Sequence, residues 1–149
     1  MNAPITTDEI EKFVAAWYAL LDFHAAADDC CKMLADRGLK MHFPETDIHS
    51  LDAFRKWYEK VINKFFDEQH TVHSVKVKLI EKHAEIDVMV GWQSSWWEPK
   101  APKSKRVALD SVQKWIVRRS AKNAFGLEIL SYNAEVEPFK YAPGFARLQ

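Results

Sequence analysis

Six histidines and 21 acidic side chains are the groups in this chain that could move protons or hold a metal, and their spacing separates the two uses. His24 falls on the apolar stripe of an N-terminal amphipathic helix, at the end where the mouth of a cavity would lie. Paired with Asp47 or His49 from the segment after Pro44, its imidazole could transfer protons near neutral pH. A histidine satisfied by a backbone carbonyl at the helix end is the other reading of that position. His73, expected on the inner face of a strand, is a second proton-shuttle candidate. No metal site is expected. His70 and His73 are three apart on a strand and so point to opposite faces, and neither His-Glu-x-x-His nor Cys-x-x-Cys spacing occurs. Cys30 and Cys31, the only cysteines, are adjacent, which suits neither an ordinary disulfide nor a spaced zinc pair. They read as reduced, partly buried thiols.

Aromatic residues are the other chemically informative group. Trp57, Trp92 and Trp115 fall on inner faces, where each is core packing or the wall of a ligand box. Trp96 and Trp97 are adjacent, so on a strand only one can point inward, and the other is a rim or interface residue.

The elements that must position these groups are legible from capping and periodicity. Thr6 and Glu9 form a capping box, with Ile5 placed to staple against Ile10, and Ile10, Phe13, Val14, Trp17, Leu21 and His24 recur at helical spacing. A second helix is expected from Asp28 as N-cap to Arg37, with Gly38 as its left-handed C-terminal cap. Leu39, Met41 and Phe43 alternate with Lys40 and His42 in a short strand ended by Pro44. Ser50 caps a third helix with the stripe Leu51, Phe54, Trp57, Tyr58, Val61, Ile62 and Phe65. From about His70 the period changes to two. The first long strand is expected to face inward through Thr71, His73, Val75, Val77 and Leu79, and the second through Ala84, Ile86, Val88, Val90 and Trp92. Pro99 and Pro102 mark a loop. Val107, Leu109, Ser111, Gln113, Trp115 and Val117 then face the helices, and the last strand, from Leu127 to Val136, turns Leu130, Tyr132, Ala134 and Val136 to one side. Helices followed by strands imply an α+β domain, with helices on one face of an antiparallel sheet.

The 149 residues suit one domain spanning 1–149, long enough to bury roughly 70% of the surface exposed on unfolding. Lys plus Arg equals Asp plus Glu at 21 each, so no large field steers the chain toward nucleic acid or an anionic membrane. The basic run Lys100, Lys103, Lys105 and Arg106 reads as a solvated hairpin loop. No window is apolar for long enough to span a bilayer, and Met1-Asn2-Ala3-Pro4 has no basic region leading into an apolar run. A soluble, cytoplasmic protein is expected. The tail beyond Pro138 carries Phe139, Tyr141 and Phe145 and is expected to pack back onto the body or onto a partner subunit.

Three stretches carry a resemblance. His70-Thr71-Val72-His73-Ser74-Val75-Lys76-Val77 followed by Ala84, Met41-His42-Phe43-Pro44, and Gly126-Leu127-Glu128-Ile129-Leu130 are similar, in order and spacing, to motifs of the nuclear-transport-factor-2-like superfamily, in particular its SnoaL-like, polyketide-cyclase-like branch. Ser74 stands where that pattern usually has Asn, and Glu81-Lys82 replaces a Gly-Asp turn. The resemblance implies a cystatin-like cone of N-terminal helices on a curved, mostly antiparallel sheet, a cavity at the wide end, and a homodimer formed through the outer sheet face. It also implies where proton-transfer chemistry would sit. Phe43 occupies the place of a strand acid, Trp17 that of an oxyanion-binding Tyr, and Gln113 that of a second donor. A phenyl ring cannot abstract a proton, and an indole can donate but not titrate.

The fold supports many activities, so two functional expectations follow. The first is a small apolar or aromatic ligand held in an internal cavity walled by Trp17, Phe43, Phe54, Tyr58, Trp92, Trp115 and Tyr132. Gln113, His24 and His73 would supply polar contacts, with isomerase, cyclase or dehydratase-type chemistry open to it. No cofactor is expected. The second is a non-catalytic homodimeric interaction module whose interior is filled core.

Overall fold

A computed structural model describes residues 4–148. The first helix, α1 (Thr7–Asp22), starts where the capping box requires: Thr6 Oγ1 accepts from the Glu9 N–H at 3.2 Å and the Glu9 carboxylate accepts from the Thr6 N–H at 3.0 Å. Its inner face buries Ile10, Phe13, Val14, Trp17 and Tyr18, with Ile5 buried just before it. The helix stops at Asp22, and His24 lies beyond it in the left-handed region with φ 50°.

The second helix, α2 (Ala27–Cys31), is shorter than the sequence suggests. Asp28 is not its cap; Ala26 is, with no side-chain bond, and the Asp28 carboxylate instead accepts from Arg55 at 2.8 Å. The chain leaves the helix because its backbone is used elsewhere. Ala35 N donates to Ile129 O at 2.9 Å and Ile129 N to Met33 O at 2.8 Å, tying this segment to the last long strand. Gly38, at φ 76°, therefore serves the turn into the sheet rather than a helix end.

β1 (Lys40–Phe43) turns at Pro44 into β2 (Thr46–Ile48), a short strand that the sequence pattern does not mark. Ser50 Oγ caps α3 (Leu51–Lys64) by accepting from Ala53 N at 3.1 Å, and Phe54 and Tyr58 are the residues this helix buries fully. β3 (Phe65–Ile80) follows without a linker, five positions before the expected start at His70. β4 (His83–Trp96), β5 (Lys105–Arg119), β6 (Leu127–Asn133) and β7 (Lys140–Tyr141) complete a curved, unclosed seven-stranded sheet. Its order is β2-β1-β6-β5-β4-β3, with β7 on β5. β1 runs parallel to β6 and the other named pairs are antiparallel. This is the α+β layout expected, with the helices packed on one sheet face around a core that includes Trp17, Phe54, Tyr58, Val88, Trp115 and Tyr132.

The inner faces of β4 and β5 match the alternation in sequence: Ala84, Ile86, Val88 and Val90 are buried, as are Val107, Leu109, Ser111, Gln113, Trp115 and Val117. Those of β3 and β6 depart from it where residues are inserted: β3 breaks register twice and β6 once, while Val75 and Val77 still pack on the core as expected. On β3 the register steps from Val72 opposite Val90 to Ser74 opposite Met89, leaving His73 as the inserted residue. A bulge shifts the alternation. Val72 and Val75 share the inner face with buried Val90 and Val88, whereas Thr71 and His73 face outward, contrary to the expectation for both. On β6 the step lies between Ser131 opposite Ile116 and Ile129 opposite Val117, so Leu130 is the inserted residue. Leu127, Ile129, Tyr132 and Ala134 are buried, while Val136, expected to share their side, is exposed.

The tail returns along β5. Ala142 N donates to Ala108 O at 2.9 Å and Ala146 N to Arg106 O at 2.8 Å, while Phe139 and Tyr141 pack beside Trp96, Val107 and Leu109. Of the adjacent tryptophans, Trp96 is buried and Trp97 exposed. No helix among the described residues is long and apolar enough to cross a membrane.

Candidate functional site

The C-terminal end of α1 carries an acid where a helix least favours one, since the partial negative charge there repels a carboxylate. No basic residue shares that last turn. The Asp22 carboxylate is held from the sheet instead: Oδ2 accepts from the backbone N–H of His70 at 3.0 Å and Oδ1 from its ring Nδ1 at 2.6 Å. With the proton on Nδ1 fixed by Asp22, the other ring nitrogen, Nε2, is left as an acceptor. It has no hydrogen-bond partner among the described residues, and the His70 side chain keeps 11% of its surface exposed. The imidazole stacks on the Tyr18 ring, centroids 4.8 Å apart and planes 24° apart, and lies 6.4 Å from the Trp92 ring.

A second imidazole and carboxylate pair sits beside the first. His24 Nε2 bonds to Glu68 Oε2, and the other Glu68 oxygen accepts from Trp92 Nε1 at 3.1 Å. The Glu68 side chain is only 5% exposed and that of His24 27%. Two backbone distortions bring them together. His24 and Asp67, the neighbour of Glu68, both have positive φ without being glycine, at 50° and 52°, and β3 breaks register between Phe66 and Gln69. Non-glycine residues held this way cost free energy and cluster at functional sites. Tyr58 Oη, donating to Ala25 O at 2.5 Å, pins the chain just past His24.

Below the pairs, the side chains expected to wall a cavity touch one another. Trp115 stacks on Tyr132 with centroids 5.0 Å apart, Trp17 meets Tyr132 at 5.9 Å and Phe54 at 6.1 Å, Phe54 stacks on Tyr58 at 5.5 Å, and Phe43 stacks on Trp57 at 4.1 Å. The polar groups among them are bonded to one another. Tyr18 Oη and Trp115 Nε1 both donate to Gln113 Oε1, at 2.8 and 3.0 Å; Gln113 Nε2 donates to Ser111 Oγ at 3.2 Å, and Ser111 Oγ to Ala134 O at 2.6 Å. Trp17 Nε1 donates to Tyr132 Oη at 3.4 Å. Burial raises the Tyr132 hydroxyl to about 12 and drives Tyr18 upward as well, so both stay protonated. Cys30 and Cys31 are free thiols, buried as expected, and loss of solvent lifts Cys30 to about 11.

The other residues singled out from sequence lie elsewhere. Asp47 does not meet His24; it pairs with His42 Nδ1 at 2.6 Å on the exposed β1–β2 hairpin, and that bond raises the His42 pKa. His73 is on the outer sheet face, 3.1 Å from Asp110. Among the described residues no group of three or more His, Cys, Asp or Glu side chains is placed to hold a metal. Asp22, Glu68 and His70 were not expected in the site. His70 was visible as the first residue of the family-like strand motif, and Asp22 as an acid in a last helical turn that lacks bases.

Neither a family model nor a curated protein sequence matches the chain. Its architecture does match solved structures. A candidate aromatic ring hydroxylase of Novosphingobium aromaticivorans superposes with a TM-score of 0.75 at 14% identity, covering 90% of this chain and 91% of that one. A candidate dehydratase of the NTF2-like family from Streptomyces avermitilis gives 0.70 at 11%, over 85% and 92%. This chain has the NTF2-like fold. The CaMKII hub of S. rosetta shares that fold, with a TM-score of 0.65 at 12% identity, covering 94% of this chain and all of the hub chain (100%). At such identities NTF2-like describes the architecture, and the activity has to be argued from the side chains.

Proposed function

We propose that this NTF2-like protein binds a small ring-containing organic molecule at the end of α1 and moves protons on it by general acid–base chemistry. The observation that carries this reading is the His70 imidazole, gripped at Nδ1 by Asp22 and stacked on Tyr18, with Nε2 unpartnered among the described residues. A carboxylate that fixes one ring nitrogen sets the tautomer and stabilises the imidazolium that forms when the other takes a proton. His70 Nε2 would remove a proton from a carbon activated by a neighbouring carbonyl. The His24–Glu68 pair would supply a proton of its own to the developing oxyanion or to a departing hydroxyl, and exchange with solvent would then take the proton from His70 and reload the pair. Trp92, whose indole N–H anchors Glu68, supplies a flat apolar wall next to both pairs. Isomerisation and dehydration are the reactions that need this equipment and no cofactor. The similar fold named for an NTF2-like dehydratase is compatible with it.

The test is a thermal-shift screen of aromatic, steroid-like, polyketide-like and fatty-acid compounds against the wild type and His70→Ala. A ligand at about a hundred times its dissociation constant adds roughly 2.7 kcal/mol, a shift of several degrees. Class-selective shifts that His70→Ala or Trp92→Ala abolishes support the reading; a response identical in the wild type and both variants ends it.

The packed interior favours a second reading, a non-catalytic homodimeric interaction module. In that case the outer face of β4 and β5, where Met89 is exposed opposite Val112 and beside Val136, forms the contact. Concentration-dependent sedimentation, altered by Met89→Lys, distinguishes it.

A further inference from the structure

On the outer sheet face, two neighbouring rows of residues combine small side chains with chemistry. Across β3, β4, β5 and β7 the first row reads Thr71, Gly91, Asp110, Lys140, each opposite the next. In the second row Gln93 lies opposite Ala108, whose carbonyl accepts from Ala142 N. Gly91, Ala108 and Ala142 leave a hollow of about 330 Å³ lined by His73, Thr71, Gln93, Asp110 and Lys140. That volume is the size of a single-ring ligand site.

His73 reaches this hollow through three coincident features. It is the inserted residue of the β3 bulge, which turns it outward; it crosses β4 at a glycine; and it ends on Asp110 Oδ1 of β5 at 3.1 Å. A Cβ on Gly91 would stand 2.9 Å from His73 Nε2 and 3.2 Å from Asp110 Oδ1, so any other residue at 91 would displace the pair. The backbone of Gly91 is not in the left-handed region, and this close approach is the reason on the page for a glycine there. Bulges that re-aim one side chain in this way recur beside binding sites.

The charges around the hollow point to the ligand. Asp110 is taken by His73, whereas Lys140 has no carboxylate partner among the described residues. Lys140 and the Thr71 hydroxyl share the hollow with Ala108 and Ala142. We propose that this hollow is a second binding site, separate from the α1 end, for a small aromatic carboxylate: the carboxylate pairs with Lys140, the ring lies on Ala108 and Ala142, and a ring hydroxyl meets His73.

The experiment is a ¹H–¹⁵N titration of the whole protein with 4-hydroxybenzoate, with 4-hydroxybenzamide as the uncharged control. Saturable shifts centred on the amides of Thr71, Gly91, Ala108 and Ala142 are expected, and the benzamide should bind about tenfold more weakly, as should Lys140→Ala toward the acid. Gly91→Ala, which leaves the backbone unstrained, should move the His73 ring resonances and weaken binding to a similar degree. The proposal is overturned by an absence of saturable shifts at millimolar acid, by equal binding of acid and amide, or by shifts centred on His70 and Trp92. Protection of these amides that grows with protein concentration in the absence of ligand also overturns it, since the hollow is then an interface between copies of the chain.

Discussion

Asp22 and His70 are joined twice, once through the histidine backbone at 3.0 Å and once through its ring at 2.6 Å, so one carboxylate fixes both the position of β3 against α1 and the tautomer of the imidazole. Asp22→Asn keeps the shape but replaces one acceptor oxygen with an amide donor. It should cost about 1–3 kcal/mol of stability and change the tautomer of His70, seen in its ring ¹⁵N shifts. On any substrate turned over at this site, His70→Ala should lower turnover by roughly a hundredfold or more. Unchanged turnover in His70→Ala removes His70 from the chemistry.

Gln113 holds the interior polar network at its centre. Its Oε1 accepts from both Tyr18 and Trp115, so Gln113→Ala leaves two buried donors unpaired and opens a void. A loss of about 3 kcal/mol or more is expected by urea denaturation. A loss below about 1 kcal/mol would mean that water or a ligand enters the space.

Acid should expose the N-terminal clamp. Arg119 bonds both oxygens of Glu9, at 2.6 and 2.8 Å, and holds its pKa at about 2 instead of 4.5. Because the folded value is lower than the unfolded one, the clamp contributes stability above pH 4.5 that is lost as the pH falls from there toward 2. Arg119→Met should flatten that part of the stability curve. Parallel curves for the variant and the wild type from pH 5 to pH 2.5 would contradict this.

Phe43 lies on Trp57 and against Tyr132, with 9% of its surface exposed. Placing an acid at this strand position, Phe43→Asp, should create no activity and should destabilise the chain by roughly 3–5 kcal/mol, since it removes a ring contact and buries a carboxylate without a partner. A melting temperature equal to that of the wild type would show that the ring adds nothing to the core.

What the sequence displayed well was anything set by neighbours along the chain. The Thr6 and Ser50 caps, the stripe through Trp17, and the alternation of β4 and β5 depend on local spacing and were legible. The faces of His73 and Leu130 were not, because each sits on a bulge, and one inserted residue reverses a period-two reading without leaving a compositional trace. The site was hidden for a related reason. His24 drew attention by its position on a helix stripe, but its carboxylate came from Glu68, 44 residues away, across a register break that periodicity does not report. The early end of α2 had the same origin, since the bonds that end it go to Ile129 on a distant strand.

The parallel pairing of β1 with β6 sets an order of events as the chain folds. Met41 faces Tyr132 across that pair, and Met33 and Ala35 exchange backbone bonds with Ile129. Such long loops close late, because the entropy of joining distant segments must be offset before their contacts form. The contiguous β3–β4–β5 meander can assemble first. On a ribosome, the helical half would wait with Phe54 and Trp17 uncovered until the last strand emerged, which makes that interval the time when the chain most needs protection from aggregation.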